Sequence, residues 1–396
     1  MMVRILPSVP TGTASAPPSK SMAHRLLICA GLAEGGSTVR GVAPSEDILA
    51  TLDCLNALGA EAEAADGIAT VQGAAPPRSG PALLRCRESG STLRFFLPLC
   101  LLSGREMTLT GSETLLKRPL SVYEELCAAQ GLRFERKKGA IVVEGKMQAG
   151  NFVMDGSISS QFVSGLLFAL PLLRGDSCIR LRPPVESRSY INMTISALRA
   201  FGVAAGWDGR NELVVPGGQR YLPRSVEVEG DWSNAAFFLA LGVPVDGLRG
   251  DSLQGDKICA AYFKALEAGR AELDISDCPD LGPVLFAYAA LRHGGSFTGT
   301  RRLRIKESDR GAAMAEELKK FGVALRVEEN RITVDNTLHP PSEPLYGHND
   351  HRIVMALSVL CARTGGTIEG AEAVRKSFPD FFQQLRRLGI KITISP

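Results

Sequence analysis

The sequence lacks several features that would assign it to a membrane or a nucleic acid. No apolar run approaches the length of a membrane-spanning helix. Aromatic residues make up only 6% of the chain, the net charge is only +3, and Lys and Arg occur singly rather than in blocks. Base-stacking platforms and basic patches are therefore not expected. Because residues 1–10 resemble neither a signal peptide nor a transit segment, we expect a cytoplasmic protein that binds neither membranes nor nucleic acids.

Metal-site and disulfide patterns are absent as well. The nine cysteines form no Cys-x-x-Cys pair, and among the five histidines only His348 and His351 lie close together in the sequence. These features predict buried free thiols in a reducing compartment and argue against a zinc site. What remains is a chain of 396 residues with 45% apolar and 22% charged residues. Such a chain is long enough for two globular domains with large cores.

A helix that ends at a glycine and is followed by two short strands recurs along the chain. The glycines are predicted at the positions just beyond the helix ends, where left-handed backbone favours glycine, and they are Gly59, Gly131, Gly202, Gly269, Gly322 and Gly389. The copy that ends at Gly269 is the weakest. Any α/β protein contains some helix–glycine–strand units, but six at near-even spacing predict an α/β fold of two lobes with three units each.

The boundary between the lobes is predicted in a stretch rich in glycine and proline, residues 216–231. The first strand, residues 3–6, is assigned to the C-terminal half, so that the chain crosses twice between the lobes. The prediction is a discontinuous C-terminal lobe of residues 1–15 plus 230–396 and an N-terminal lobe of residues 16–229.

The stretch 17–25, Pro-Pro-Ser-Lys-Ser-Met-Ala-His-Arg, is a candidate anion site. Its prolines prevent a helix before Ser19, and Ser21 is the predicted N-cap of the helix that follows. Lys20 then lies at a helix N-terminus, with Arg25 one turn beyond Ser21 on the same face. Backbone N–H groups, a hydroxyl and two cations together suit a doubly charged anion such as a phosphate monoester. A capped surface helix with solvated charges is the alternative.

Other helices also begin with cationic, hydroxyl or small residues. In the first half these residues are Gly90, Arg118, Ser159, Ser160, Gln161 and Ser187. In the second half the cations are Lys306, Arg310, Arg352 and Lys376, and the carboxylates Asp280 and Glu307 accompany them. Lys306 and Arg310, four residues apart, are predicted to share a face with the helix N-terminus while Glu307 turns aside. Each of these residues, taken alone, is equally consistent with an ordinary cap or a solvated charge.

The pattern as a whole is more informative than its members. If each lobe points its helix N-termini toward the other, the cleft between them sums several helix dipoles and about eight cations. Such a cleft would attract small polyanionic molecules and close on them.

The motifs of the chain resemble, in order, those of the 3-phosphoshikimate 1-carboxyvinyltransferase (5-enolpyruvylshikimate-3-phosphate synthase, EPSP synthase) family. The motifs are Pro18-Ser19-Lys20-Ser21 to Arg25, Arg118-Pro119, Ser159-Ser160-Gln161, Pro279-Asp280, Lys306 to Arg310, Asn349 to Arg352 and Lys376 to Asp380. The resemblance runs from near Ser8 to the C-terminus. It implies a two-lobed inverse α/β barrel, each lobe built of three βαβαββ repeats, with helix N-termini facing an interdomain cleft.

The resemblance also implies an activity. The enolpyruvyl group of phosphoenolpyruvate would be transferred to the 5-hydroxyl of shikimate 3-phosphate, with release of phosphate, in the shikimate pathway of chorismate and aromatic amino acid biosynthesis. The reaction would pass through a tetrahedral ketal in a closed, monomeric enzyme, and would need neither a metal nor an organic cofactor.

Site residues follow from the resemblance by position. Shikimate 3-phosphate would contact Lys20, Ser21, Arg25, Ser159, Ser160, Gln161, Ser187, Asp280 and Lys306. Phosphoenolpyruvate would contact Lys20, Gly90, Arg118, Gln161, Arg310, Arg352 and Lys376. Lys20, Asp280 and Glu307 are the implied catalytic residues, with Asp280 as base and Glu307 as acid. The N-terminal lobe would be the shikimate 3-phosphate side and the C-terminal lobe the phosphoenolpyruvate side.

The chain departs from the family pattern in two places. Glu88-Ser89-Gly90-Ser91 stands where the family usually has Asn-Ala-Gly-Thr, and Arg302 stands where it commonly has Asn. The details of that loop and the role of Arg302 therefore do not follow from the resemblance. Gly90 is the position that admits glyphosate in the family, and one glycine does not decide sensitivity.

Two alternatives remain. One is the sister enolpyruvyl transferase that acts on UDP-N-acetylglucosamine, whose loop cysteine has no counterpart in residues 113–117. The other is a non-catalytic anion-binding protein of the same fold, against which the presence of Lys20, Asp280 and Glu307 argues.

Overall fold

A computed structural model describes residues 1–74 and 81–395 of the chain. The chain divides into two compact units, Met1–Pro17 with Gly230–Pro396, and Pro18–Glu229. The first crossing between the units thus lies after Pro17, whereas the sequence-based boundary follows residue 15. Within the described ranges, no helix has both the length and the apolar character required to cross a membrane.

The chain begins in the discontinuous unit with strands β1 (Met2–Ile5) and β2 (Ala14–Ser15). The continuous unit follows. Its helices are α1 (Lys20–Leu32), α2 (Glu46–Ala57), α3 (Gly90–Cys100), α4 (Glu113–Leu116), α5 (Ser121–Ala129), α6 (Ser160–Ala169) and α7 (Arg188–Ala200). Its strands are β3 (Gly35–Arg40), β4 (Glu61–Ala65), β5 (Ile68–Gly73), β6 (Ala82–Arg85), β7 (Met107–Thr110), β8 (Arg133–Lys137), β9 (Ala140–Glu144), β10 (Asn151–Asp155), β11 (Ser177–Arg182), β12 (Gly206–Trp207), β13 (Glu212–Val215) and β14 (Ser225–Glu227).

The chain then returns to the discontinuous unit. The helices here are α8 (Trp232–Ala240), α9 (Cys259–Ala268), α10 (Gly282–Leu291), α11 (Arg310–Lys320), α12 (His351–Thr364) and α13 (Phe381–Arg387). The strands are β15 (Val245–Asp246), β16 (Ala271–Asp274), β17 (Gly295–Thr298), β18 (Leu325–Val327), β19 (Arg331–Val334), β20 (Leu345–Tyr346), β21 (Gly366–Glu369) and β22 (Ile392–Ser395).

The sheets of the continuous unit share one topology. Their strand orders are β14-β3-β5-β4, β6-β7-β9-β8 and β10-β11-β13-β12. In each sheet the first two strands are parallel and the remaining neighbours are antiparallel. Parallel neighbours require a crossover, which α3 supplies between β6 and β7 and α6 supplies between β10 and β11. Strand β14, from the end of the unit, pairs with β3 and completes the first sheet.

The discontinuous unit repeats this topology in two sheets, β16-β17-β19-β18 and β20-β21-β1-β22. In the second sheet β1 lies between β21 and β22 and is antiparallel to both. This pairing explains why the first residues of the chain belong to the C-terminal unit. The weak repeat is degenerate, because β2 and β15 form only a two-stranded parallel pair and α9 leads into β16 without an intervening hairpin. The predicted α/β class and the recurring unit are confirmed.

Five of the six glycines predicted beyond helix ends are left-handed, with φ of +102°, +66°, +80°, +77° and +85° at Gly59, Gly131, Gly202, Gly322 and Gly389. The prediction is wrong at Gly269, where φ is 161° and the backbone is extended. The difference follows from topology, because Gly269 leads directly into β16 and makes no turn into a hairpin.

Each unit has its own apolar core, and helices lie inside it. Every residue of α10 from Gly282 to Ala290 is buried, as is every residue of α12 from His351 to Ala362. A helix that is buried on all sides cannot present charges along its length. The charged side chains of α10 and α12 are therefore confined to their ends, and those ends position the candidate site.

The prediction of buried free thiols is also confirmed. All nine cysteines lie in the described ranges and none of them is in a disulfide there; eight are buried, and Cys178 is half-buried.

The contrast between glycines can be tested within the discontinuous unit. Gly242, beyond α8, has φ +81°, and a Cβ at Gly242 or Gly269 would meet no other described heavy atom within 4 Å beyond its chain neighbours. Gly242→Ala should lower the free energy of unfolding by about 1 kcal/mol, since left-handed backbone disfavours a Cβ. Gly269→Ala should leave it unchanged or raise it slightly, because alanine restricts the unfolded chain. Urea denaturation measures both, and equal effects would contradict the backbone assignment.

Candidate active site

Helix α1 begins two residues earlier than the sequence analysis predicts. Ser19 is the N-cap, with extended backbone at φ −64° and ψ 105°, and its hydroxyl accepts a hydrogen bond from the Met22 N–H at 3.4 Å. The prediction that Ser21 caps this helix is therefore wrong. The two prolines allow the helix to begin directly after Ser19, so that Lys20 is its first residue and Ser21 its second. Both stay at the helix N-terminus, where an anion is favoured.

Arg25 is buried and ties three helices together. It is 3% exposed, and its Nε donates to Thr194 Oγ1 of α7 at 2.8 Å. Nη1 donates to the Ser21 carbonyl of α1 at 2.6 Å, and Nη2 donates to Ser164 Oγ of α6 at 3.4 Å. These partners are uncharged, so the positive charge of Arg25 is retained at this end of α1. Burial lowers its pKa to about 10, which leaves it protonated at neutral pH.

Lys20 forms an ion pair with Asp47 of α2, with 2.8 Å between Nζ and Oδ2, and both side chains are only slightly exposed. Sequence analysis did not identify Asp47. Its position depends on how α1 packs on α2, which no local pattern specifies. The pair fixes the ammonium group of Lys20 beside the helix N-terminus.

A second cluster surrounds Gly90, the first residue of α3. A Cβ at Gly90 would lie 2.7 Å from Arg118 Nη1 and 3.3 Å from Arg94 Nη1, so a side chain at this position would displace the Arg118 guanidinium group. Arg94 Nη1 donates to Gln161 Oε1 at 2.7 Å, and Gln161 Nε2 donates to Ser91 Oγ at 3.0 Å. The structure thus brings Gly90, Arg118 and Gln161 together. Arg94, one turn beyond Gly90, joins them although it was not among the predicted site residues.

The predicted serines lie at two further helix starts. Ser159 is the N-cap of α6, where its hydroxyl accepts from the Gln161 N–H at 3.3 Å, and Ser160 is the first helical residue. Ser187 precedes α7 with left-handed backbone at φ +54° and is buried. This conformation is unfavourable for a residue with a Cβ, so interactions with the surrounding structure must stabilise it.

In the discontinuous unit, Asp280 forms ion pairs with cationic side chains from the starts of two other helices. It lies in a 3₁₀ turn, Pro279–Leu281, directly before α10. Its Oδ1 is 3.1 Å from Lys306 Nζ and 2.8 Å from Arg310 Nη1, and its Oδ2 is 3.2 Å from Arg352 Nη2. Four predicted site residues from distant parts of the chain therefore meet at one carboxylate.

Arg310 connects this carboxylate to two others. Its Nη2 is 2.6 Å from Glu307 Oε2, and its Nε is 2.9 Å from Asp350 Oδ2. The prediction that Glu307 turns aside is wrong, because α11 begins only at Arg310 and helical spacing does not apply to residue 307. Asp350, the N-cap of α12, is 0% exposed. It was not predicted as a site residue, although it belongs to the motif that ends at Arg352.

The charges in this group balance. Three cations, Lys306, Arg310 and Arg352, face three carboxylates, Asp280, Glu307 and Asp350. Pairing of this kind offsets the free-energy cost of burying each ion.

The balance sets the protonation state of the carboxylate at its centre. Burial favours the neutral form of Asp280, but Arg352, Lys306 and Arg310 outweigh burial and hold its pKa well below the usual range. Burial likewise lowers the pKa of Lys306, and the nearby Arg310 adds to that effect while Asp280 opposes it.

Two more cations lie at the edge of this group. Lys376 Nζ donates to the Asn349 carbonyl at 2.7 Å, beside the N-terminus of α12. Arg302 is buried, and its Nη2 donates to the Ser276 carbonyl. Ser233, at the start of α8, accepts from Arg352 Nη2 at 2.9 Å and was also missed by sequence analysis.

Comparisons with known proteins agree in one family. The family model described as EPSP synthase (3-phosphoshikimate 1-carboxyvinyltransferase) matches residues 7–385. A protein of Clostridium kluyveri named 3-phosphoshikimate 1-carboxyvinyltransferase is 38% identical over 416 residues, covering 98% of each chain. A protein of the same name from Clostridium novyi is 35% identical and covers 98% of this chain and 97% of that protein.

Solved structures are similar over the full length. The EPSP synthase of Acinetobacter baumannii has a TM-score of 0.79 at 25% identity and covers 100% of both chains. The enolpyruvyl transferase NikO of Streptomyces tendae has a TM-score of 0.78 at 14% identity, which shows a shared fold alone. Because the family model spans nearly the whole chain and relatives at 35–38% identity cover it from end to end, the chain belongs to the EPSP synthase (3-phosphoshikimate 1-carboxyvinyltransferase) family.

Proposed function

We propose that this protein transfers the enolpyruvyl group of phosphoenolpyruvate to the 5-hydroxyl of shikimate 3-phosphate and releases phosphate. Membership of the family gives the reaction. The observation that supports it best is the pairing of Asp280 and Glu307 with one arginine, Arg310, at 2.8 and 2.6 Å. The two carboxylates contact a cation that can bind an anionic substrate, which supports their proposed roles as base and acid.

In the proposed reaction, Asp280 accepts the proton of the 5-hydroxyl while the oxygen attacks C2 of phosphoenolpyruvate. Glu307, protonated once Arg310 binds the substrate anion, donates its proton to the methylene carbon, which becomes a methyl group, and a tetrahedral ketal results. The ketal then loses phosphate as the methyl group returns a proton to Glu307, and the departing phosphate takes up the proton held by Asp280. Cations held at fixed positions stabilise the charge that develops on the departing phosphate.

The substrates bring large negative charge. Each phosphate adds about −1.5 to −2 charges near neutral pH, and phosphoenolpyruvate adds a carboxylate. We infer that these anions take over Arg310 and Arg352 from Asp280. Losing those cations would raise the pKa of Asp280 from its depressed value toward the usual range, so that binding of phosphoenolpyruvate makes Asp280 a better base.

We assign the substrate contacts as follows. Shikimate 3-phosphate binds to Lys20, Ser21, Arg25, Ser159, Ser160, Gln161 and Ser187 of the continuous unit and to Asp280 and Lys306 of the discontinuous one. Phosphoenolpyruvate binds to Lys20, Gly90, Arg118 and Gln161 and to Arg310, Arg352 and Lys376. Both units therefore contribute residues to both proposed sets of contacts.

We propose that the enzyme is a cytoplasmic monomer that acts without metal or organic cofactor. The gathering of Arg94 and Arg118 around Gly90 supports a phosphoenolpyruvate subsite there, since guanidinium pairs bind carboxylate and phosphate groups well.

A phosphate-release assay tests the proposed function directly. Wild-type protein with phosphoenolpyruvate and shikimate 3-phosphate should release phosphate, whereas UDP-N-acetylglucosamine in place of shikimate 3-phosphate should give none. If phosphate is released from phosphoenolpyruvate only when UDP-N-acetylglucosamine is the acceptor, the protein has the sister activity. If neither acceptor gives phosphate release, the result favours a non-catalytic anion-binding protein.

Glu307→Gln tests the proposed acid. The amide keeps the size of the side chain but cannot deliver a proton, so kcat should fall by about 10²-fold or more. Glu316→Gln, which alters an exposed glutamate of α11, is the matched control and should turn over like wild type. A rate for Glu307→Gln near that of the control would remove Glu307 from this role.

Lys20→Met tests the contact with phosphoenolpyruvate. Loss of a charged hydrogen-bond donor should raise the KM for phosphoenolpyruvate by about tenfold or more at saturating shikimate 3-phosphate. Lys117→Met, at an exposed lysine paired with Glu113, controls for the loss of a positive charge. Unchanged phosphoenolpyruvate affinity in Lys20→Met would contradict the assignment of Lys20.

A further inference from the structure

The loop that precedes α12 has an unusual backbone. His348 and Asn349 have φ of +49° and +51°, so two consecutive residues other than glycine are left-handed. A Cβ makes this conformation unfavourable at each of them. Since the protein adopts it at both, interactions outside the loop must stabilise it.

The conformation of this loop determines where two groups of the candidate site lie. The Asn349 carbonyl accepts from Lys376 Nζ at 2.7 Å. The next residue, Asp350, accepts from Arg310 Nε at 2.9 Å and caps α12 ahead of Arg352. A change of φ at residues 348 and 349 would therefore displace groups around all three proposed phosphoenolpyruvate ligands of this unit.

The backbone of the loop is held at Gly347. Its N–H donates to the Glu369 carbonyl at 2.8 Å, and its carbonyl accepts from the Asp350 N–H at 2.9 Å. A Cβ at Gly347 would lie 2.6 Å from a methyl carbon of Val354 and 2.9 Å from the Gly370 carbonyl. The chain passes this point in close contact, so the left-handed residues that follow it have little room to rearrange.

The carboxylate of Glu317 forms hydrogen bonds with residues of the loop. Glu317 lies on α11 seven residues after Arg310, two turns along the same face, and is 0% exposed. Its Oε1 lies 2.9 Å from His348 Nε2, and its Oε2 accepts from the Tyr346 N–H at 2.9 Å. One buried carboxylate thus contacts the loop at a backbone group and at the left-handed residue itself.

Lys320 completes the charge of this group. Its Nζ lies 3.0 Å from Glu317 Oε2 and 3.1 Å from Oε1. Burial favours the neutral form of Glu317, but hydrogen bonds from His348, Tyr346 and Lys320 outweigh it and lower the pKa of the carboxyl. Glu316, Glu317 and His348 also place metal-binding atom types within 4.8 Å of one another. The ammonium of Lys320 already supplies the positive charge there, which favours a structural ion pair over a metal site.

We propose that Glu317 is a positioning residue for phosphoenolpyruvate: through His348 and Tyr346 it holds the left-handed loop that sets Asp350, Arg352 and the Lys376 partner. The inference rests on the proposed function. Because α11 begins at Arg310 and includes Glu317, one helix delivers a substrate-binding cation and fixes the loop that delivers the others.

Glu317→Gln and Glu316→Gln form a matched pair for the test. Both replace a glutamate on α11, but only Glu317 is buried against the loop. Glu317→Gln should raise the KM for phosphoenolpyruvate by about tenfold, since small displacements of substrate-binding groups are costly. The KM for shikimate 3-phosphate should stay within about twofold. Glu316→Gln should match wild type in both.

His348→Ala and His348→Gly provide a second pair, which decides the matter if Glu317→Gln does not fold. Both lose the imidazole, but glycine adopts left-handed backbone without the strain of a Cβ. His348→Ala should raise the KM for phosphoenolpyruvate about tenfold, and His348→Gly should restore most of that loss. A loss of packing alone would give the opposite order or equal effects.

The outcomes separate this inference from the proposed function. If wild type releases no phosphate from phosphoenolpyruvate and shikimate 3-phosphate, the proposed function fails whatever Glu317 does. If wild type is active and Glu317→Gln behaves like Glu316→Gln, or raises both KM values alike, the positioning role fails alone. Equal KM values for the two His348 variants would also overturn it.

Discussion

The buried guanidinium of Arg310 is the interaction on which the candidate site of the discontinuous unit depends. It is 1% exposed and contacts three carboxylates, Asp280, Glu307 and Asp350, at 2.6–2.9 Å. A buried arginine without partners would be strongly unfavourable, so each carboxylate must stay in place for the others to be tolerated. Burial by itself lowers the pKa of Arg310, but Asp350, Glu307 and Asp280 outweigh burial and raise it. One side chain thereby joins the starts of α10, α11 and α12.

The continuous unit also has a buried arginine that needs hydrogen-bond partners, but its partners are uncharged. Arg25 is nearly as buried, but its donors meet hydroxyl and carbonyl oxygens of α1, α6 and α7. Neutral partners satisfy hydrogen bonds without cancelling charge. One unit therefore holds a balanced ionic cluster, and the other holds a cation whose hydrogen-bond partners are uncharged. In the proposed reaction, the first arrangement would couple substrate binding to acid–base chemistry, and the second would attract the acidic substrates.

Much of the fold could be predicted from sequence because its signals are local. Gly131, Gly322 and the other turn glycines mark helix ends by their backbone requirement, and the polar starts of α6 and α12 mark the ends of buried helices. Gly269 was mispredicted because its conformation depends on the strand it leads into, and Ser21 was mispredicted as a cap because Ser19 competes for the same role. Such choices depend on contacts that a local pattern does not contain.

The site was predictable in part for the same reason. The motifs identified Asp280, Lys306, Arg310 and Arg352 as candidate site residues, but they did not indicate the contacts among these side chains. Asp47, which pairs with Lys20, and Glu317, which holds the loop before α12, act across helix–helix packing. Neither has a short-range signature. Glu307 was placed wrongly because it precedes the helix whose spacing was used to orient it.

The most direct test of this account is a crystal structure of the protein with shikimate 3-phosphate and an unreactive analogue of phosphoenolpyruvate. The account predicts that Arg310 and Arg352 bind the carboxylate or phosphate of the analogue and that their distances to Asp280 lengthen, with Asp280 facing the 5-hydroxyl. If both arginines keep their contacts with Asp280 and the analogue lies elsewhere, the assignment of this cluster as the reacting centre is wrong.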